Sequence, residues 1–217
     1  IFLLLFNRGS SAPPPGNCES AATMCNYNSF LTRMFQFGPG KVYAITGRLP
    51  TTPQTRNGEP TMTQAQARYW SISQYGRGEG DKYETAVHYG SLMDEEIVVN
   101  ENNDYIILYS SQEDRPSNAR PECGVTWQDR GPRSRQTITI RWMSVMPEWH
   151  LPQHAPDTYN IPWSTGAWSE GGYDESLVGQ NKPGVMGPYH PVIHYLSKTE
   201  FEALGCPDHL AAVPEWK

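Results

Sequence analysis

Residues 136–145 read QTITIRWMSV, and Ile138, Ile140 and Trp142 alternate with polar neighbours. Successive side chains of a strand point to opposite faces, so this pattern predicts a strand with one apolar face. The same period recurs in ARYWSISQY at 67–75, with Trp70 and Ile72 on one face and Tyr69, Ser71 and Ser73 on the other. KVYAITGR at 41–48, YETAVHY at 83–89 and VIHYL at 192–196 add further short strands, and EIVVNENNDYIILYSS at 96–111 reads as two strands around an Asn-rich turn. GRGEGDK at 76–82 reads as the hairpin loop before 83–89. Asn and Asp suit such turns because they tolerate left-handed backbone angles. Several short alternating strands with turn signals between them predict an antiparallel β-sandwich of jelly-roll type.

Two helices complete the expectation. SAATMCNYNSFLTRMF at 20–35 places Met24, Tyr27, Leu31, Met34 and Phe35 near helical spacing, with Ser20 as cap and FGPG as stop. SKTEFEALG carries Ser197 and Glu200 in a capping box, and Gly205 closes the short C-terminal helix. Between them, the Pro- and Gly-rich segment 147–191 shows no sustained period and holds Trp149, Trp163 and Trp168. A long irregular segment is usually a functional loop or a wrap over the fold, and its rings predict packing against something.

Composition narrows the class. The chain has 217 residues, enough for one domain with a core. Charged residues are 18%, net charge is -6, and there is no basic run, which argues against a nucleic-acid partner. Aromatics at 12% argue against an unfolded chain. Gly and Pro number 19 each, as expected of short elements joined by turns. No N-x-[ST] sequon is present.

The four cysteines, Cys18, Cys25, Cys123 and Cys206, have no zinc-site spacing. An even count in a Lys-poor, loop-rich chain reads as two disulfides in an oxidising compartment, extracellular, cell-surface or periplasmic. Three connectivities exist; Cys18–Cys25 with Cys123–Cys206 is favoured, because cysteines close in sequence close a cheap loop. Four buried thiols are the alternative.

The chain opens IFLLLFNRGSSAPPPG. Ile1, Phe2, Leu3, Leu4, Leu5 and Phe6 fall far short of the ~20 apolar residues that span a bilayer. Covering six such side chains is worth on the order of 10 kcal/mol, and bare they invite aggregation. Pro13, Pro14 and Pro15 favour a stiff extended tether. Residues 1–17 thus read as an arm and tether on a domain formed by 18–217. The arm would be a membrane-anchor stub, an edge strand of its own sheet, or a strand donated to a neighbour; the tether favours donation. A head-to-tail contact that does not close propagates into a filament.

At ARYWSISQYG, NDYIILYSSQEDRPSNA, GVTW and ITIRWMSVMP the chain resembles a small β-sandwich domain of exported bacterial proteins of unknown function. Trp70, Ser71, Tyr109, Trp127, Arg141 and Pro147 occupy comparable places. GVMGPYHPVIHYLSKTEFEALGC resembles the C-terminal part of some uncharacterised secreted proteins. The resemblance spans roughly residues 41–206. It implies a sandwich fold and export, and it brings no activity. The IFLLLF arm departs from it.

No motif specifies a reaction. His150 with His154 and His190 with His194 stand four apart, but Pro152 and Pro191 deny both pairs a helix. In a strand that spacing is ~13 Å, too far for one ion. Ser110, Ser111 and Asp114 sit at a strand end without a G-x-S-x-G turn. Asp94, Glu95, Glu96, Glu101 and Asp104 fall where turns are expected. GRGEG lacks the strand-to-helix setting of a nucleotide loop. Arg130, Arg133 and Arg135 form too short a cluster to track phosphates. No cofactor or metal is implied. The reading is a structural, non-enzymatic assembly subunit of an exported surface or envelope complex, self-associating through its arm. The alternatives are a carbohydrate-binding module whose Trp149, Trp163 and Trp168 stack on sugar faces, and an enzyme of undetected type.

Overall fold

The alternating segments fold as strands. A computed structural model describes residues 28–61, 63–77, 86–145, 189 and 191–206. The apolar arm, the tether, Cys18, Cys25, the interior of the 76–82 loop, Trp149, Trp163 and Trp168 lie outside the described residues. The described elements are eight strands and a few short helical turns: β1 (Asn28–Gln36), β2 (Lys41–Arg48), β3 (Ala67–Gly76), β4 (Val87–Met93), β5 (Asp104–Ser110), β6 (Val125–Asp129), β7 (Arg135–Val145), β8 (Val192–Ser197) and α1 (Lys198–Glu202). They form two four-stranded sheets, ordered β1-β7-β3-β4 and β6-β5-β2-β8.

Three expectations need correction. Residues 28–35, the second half of the expected N-terminal helix, lie in strand β1. Phe35 and Phe37 are buried, two apart, while Met34 between helical partners is 66% exposed. The period of two wins over the near-helical spacing that included Met34. Of the strand expected at 83–89, residues 83–85 lie outside the described residues, and β4 runs over Val87–Met93. The paired strands expected within 96–111 reduce to one bridge, Val99 with Tyr105, ahead of β5. The turn itself is as read: Asn103 has φ 62, and Asn100 Oδ1 accepts from the amides of Asn102 and Asp104, both at 2.9 Å.

The third correction concerns strand direction. β2 pairs antiparallel with β5 and β8, but β5 and β6 are parallel. Residues 111–124 join them, long enough for the crossover that a parallel pair needs. That crossover is used as a cover. Ala119 and Cys123 pack with Val42, Ala44, Ile106, Leu108, Val125, Leu196 and Phe201 in one buried cluster. Hence Tyr105, Ile106, Ile107, Leu108 and Tyr109 are all buried, on both faces of their strand. A strand covered on both faces reads as an unbroken apolar run rather than an alternation.

By internal packing the described residues fall into two compact units. One holds 28–33, Pro50–Ser71 and 139–145. Here Trp70 and Trp142, both buried, meet edge to face at 6.5 Å. Thr51 and Gln66 pin the entry to β3, exchanging bonds of 2.8 and 3.0 Å. The other unit holds Met34–Leu49, Ile72–Ile138 and the described residues from 189 onward. It contains all of the second sheet. Its C-terminal helix is capped as expected: the Ser197 and Glu200 side chains and backbone amides exchange bonds of 2.6 and 3.1 Å. Phe201 on α1 is fully buried in the cluster above, and Cys206 just beyond it is bonded to Cys123.

Candidate functional site

Strand β4 reads VHYGSLM, and it breaks the alternation that its pairing with β3 would impose. In a regular strand residues three apart face opposite ways and stand about 10 Å apart. Yet His88 Nε2 and Ser91 Oγ are 2.9 Å apart. The chain distorts between them at Gly90, whose φ is 154. Such a local distortion re-aims side chains. A Cβ there would lie 3.0 Å from Gln128 Nε2 of β6, at the end of a flexible side chain.

The hydrogen bonds continue beyond the pair. Ser91 Oγ is 2.8 Å from Ser73 Oγ on the neighbouring strand β3. The Tyr75 ring, two residues on, lies 5.1 Å from the His88 ring at a 46° tilt and limits its rotation. His88 and Ser91 are exposed. Tyr89, between them, anchors the strand. Its ring lies where Cβ atoms of Gly76 and Gly131 would stand, 2.6 Å from the first and 2.8 Å from the second. Solvent therefore meets a serine hydroxyl hydrogen-bonded to an imidazole, on a strand held from below.

A second hydroxyl–imidazole bond has the opposite setting. Thr46 Oγ1 and His194 Nε2 are 2.9 Å apart, and His194 is only 2% exposed. The cross-strand register puts Thr46, Arg48, Asp104 and His194 on one face of the second sheet. Arg48 Nε donates to Asp104 Oδ1 at 2.7 Å. That bond holds the guanidinium above its ordinary range, with Tyr189 adding to the effect. Buried polar groups that meet partners cost little and fix register. This cluster is a lock on the sheet.

Most of the other chemistry-bearing residues are likewise occupied by the fold. Ser110 Oγ accepts from Trp127 Nε1 at 2.8 Å and donates to the Ser111 carbonyl. Ser111 Oγ donates to Asp114 Oδ2 at 2.9 Å, and Asp114 Oδ1 accepts from the Gly40 amide. Arg115 caps the Ala119 carbonyl and covers the Trp127 ring at 4.3 Å. Arg130 donates to the carbonyls of Gly131 and Arg133, Arg133 to that of Arg77. Asp94, Glu95 and Glu96 form a short helical turn, in which Glu96 accepts from the Met93 amide.

The structure joins Cys123 to Cys206, with Cα atoms 4.5 Å apart. It places His194 in the sheet lock; His150, His154 and His190 lie outside the described residues. Among the described residues no three His, Cys, Asp or Glu side chains converge as a metal site, and no helix is long and apolar enough to cross a membrane. The site missed from sequence is His88, Ser91 and Ser73. Its one legible signal is Gly90 inside a strand pattern, which marks a bulge or a close approach.

No protein-family model matches the chain, and no curated protein matches it. Two solved structures are similar to it at low identity. An uncharacterised protein from Burkholderia cenocepacia shares 9% identity at a TM-score of 0.44, over 80% of this chain and 31% of that one. A protein from Vibrio parahaemolyticus shares 15% identity at a TM-score of 0.34, over 55% of this chain and 27% of that one. The chain thus spans about a third or less of either neighbour.

Proposed function

We propose that the chain is a structural subunit of an exported assembly, a disulfide-stapled β-sandwich joined to its neighbour by residues 1–6. Contacts between strands of the two sheets support the sandwich. The Phe35 and Phe37 rings meet Tyr43 of β2 edge-on at 4.7 and 4.9 Å, and Gln74 of β3 donates to the Asp129 carbonyl of β6. The Cys123–Cys206 bond supports an oxidising compartment.

The observation that carries the assembly reading is strand β8. It lies at the end of the second sheet in the order of described strands, and it pairs with β2 in unbroken register. Its six residues, VIHYLS, include no charge, proline or glycine. Edge strands are normally blunted by such residues or by bulges. A regular, uncharged edge accepts an added strand, and main-chain pairing gives the affinity. The apolar opening IFLLLF matches that edge in length and requires a cover.

Deleting residues 1–12 tests the reading, with association followed by light scattering and electron microscopy. The expected result is a folded monomer from the truncated chain and larger species from the full chain. Leu4→Lys should reproduce the loss, because a charge in a donated strand loses its apolar seat. Unchanged association in both variants overturns the proposal.

A further inference from the structure

We infer that Ser91 is a reactive serine, an acylation site served by His88 and open to activated acyl esters or thioesters. Geometry comes first. The distortion at Gly90 sets Ser91 Oγ 2.9 Å from His88 Nε2, within the range in which a base takes a hydroxyl proton. In the reactive arrangement Ser73 Oγ donates to Ser91 Oγ, and Ser91 Oγ donates to Nε2 of the tautomer protonated at Nδ1. Ser73 then points the hydrogen of Ser91 at the imidazole. The Tyr75 ring packs against the imidazole, with centroids 5.1 Å apart.

Access comes second. Ser91 and His88 face solvent, whereas Ser110 and Thr46 are buried in other bonds. Gln128 Nε2, 3.0 Å from where a Gly90 Cβ would be, puts an amide donor beside the peptide that leads into Ser91. A donor there can meet charge developing on an acyl oxygen. The step is simple acyl transfer. Ser91 Oγ attacks the carbonyl carbon of R–CO–X, and its proton passes to His88 Nε2. The C–X bond breaks, and the proton leaves with X as HX. The product is the Oγ–CO–R ester of Ser91, and no oxidant or further reactant is needed. Single acylation rather than rapid turnover is the expected outcome.

The test is treatment of the full chain with p-nitrophenyl acetate, followed by peptide mapping in a mass spectrometer. Acetyl should accumulate on Ser91 faster than on Ser117, another exposed serine. Ser91→Ala should abolish it. His88→Asn should slow it about 100-fold, the usual worth of a positioned base. Ser73→Ala should cost less than His88→Asn, since it removes only the pointing bond. Circular dichroism of each variant separates loss of reactivity from loss of fold. Labelling of Ser91 no faster than Ser117, or an unchanged rate in folded His88→Asn, overturns the inference.

Discussion

Tyr89 and its two glycines make a prediction whose sign differs between the two positions. A methyl at residue 76 would stand 2.6 Å from Tyr89 Cζ and Oη, so either the ring or the strand must move. Overpacking of this kind costs about 1–3 kcal/mol. Gly76 itself lies outside the left-handed region, so its backbone accepts alanine. Remove the ring by Tyr89→Ala, and Gly76→Ala should turn stabilising by about 0.4–1 kcal/mol, because the unfolded chain loses freedom. The coupling between the two substitutions is then about 1.5–4 kcal/mol. Gly131 differs. A methyl there would meet the ring at 2.8 Å, but its φ is also 70. Left-handed geometry costs a side chain about 1–2 kcal/mol whatever surrounds it. Gly131→Ala should therefore stay destabilising in the Tyr89→Ala background. Urea denaturation of the six chains reads this directly. With a slope of about 2 kcal/mol/M, a 2 kcal/mol coupling moves the midpoint by about 1 M. Equal penalties for Gly76→Ala with and without the ring would refute the steric account. Relief at Gly131 equal to that at Gly76 would refute the backbone part.

Other consequences can be measured on the same protein. Replacing Cys123 and Cys206 by Ser opens a loop with a sequence separation of 83, for which chain entropy gives a loss of about 4–5 kcal/mol; a melting temperature insensitive to the change would contradict it. Burial pushes the Tyr105 and Tyr109 phenols above their usual value of 10.0. Their neutral forms are favoured in the folded chain, so the stability they contribute is complete below pH 10 and lost as pH rises beyond it; phenolate absorbance should show them ionising only with unfolding. Ser197→Ala removes the acceptor for the Glu200 amide and should cost about 1 kcal/mol in thermal melting.

The strands were legible where one simple rule acts. β2, β3 and β7 form where the period of two was read, and Ile138, Ile140 and Trp142 are each buried, although Thr137 and Thr139 between them are buried as well. The capping box of Ser197 and Glu200 is a local code, and it forms. β1 was misread because Leu31, Met34 and Phe35 fit a helical stripe, while the decisive pair, Phe35 and Phe37, extends past the segment. The parallel partnership of β5 and β6 has no local signal at all. It depends on the 111–124 crossover finding a face to cover, which is a property of the assembled sheet.

The same distinction explains why the serine–histidine pair escaped a motif search. Motifs record residues at spacings that regular elements bring together, and a strand does not bring residues three apart into contact. Here the contact arises because three separate conditions meet. Gly90 adopts φ 154, the end of the Gln128 side chain lies against it, and Tyr89 fills the gap left by Gly76 and Gly131. Each is a tertiary fact about a different segment. Substituting Gly90 should therefore act on Ser91 through geometry alone. Gly90→Ala places a side chain where φ is 154 and should drive the backbone toward regular extension, which would carry His88 and Ser91 toward opposite faces. Loss of Ser91 acetylation with a folded chain would be expected from that variant. Acetylation unaffected by Gly90→Ala would mean that the distortion does not hold the pair.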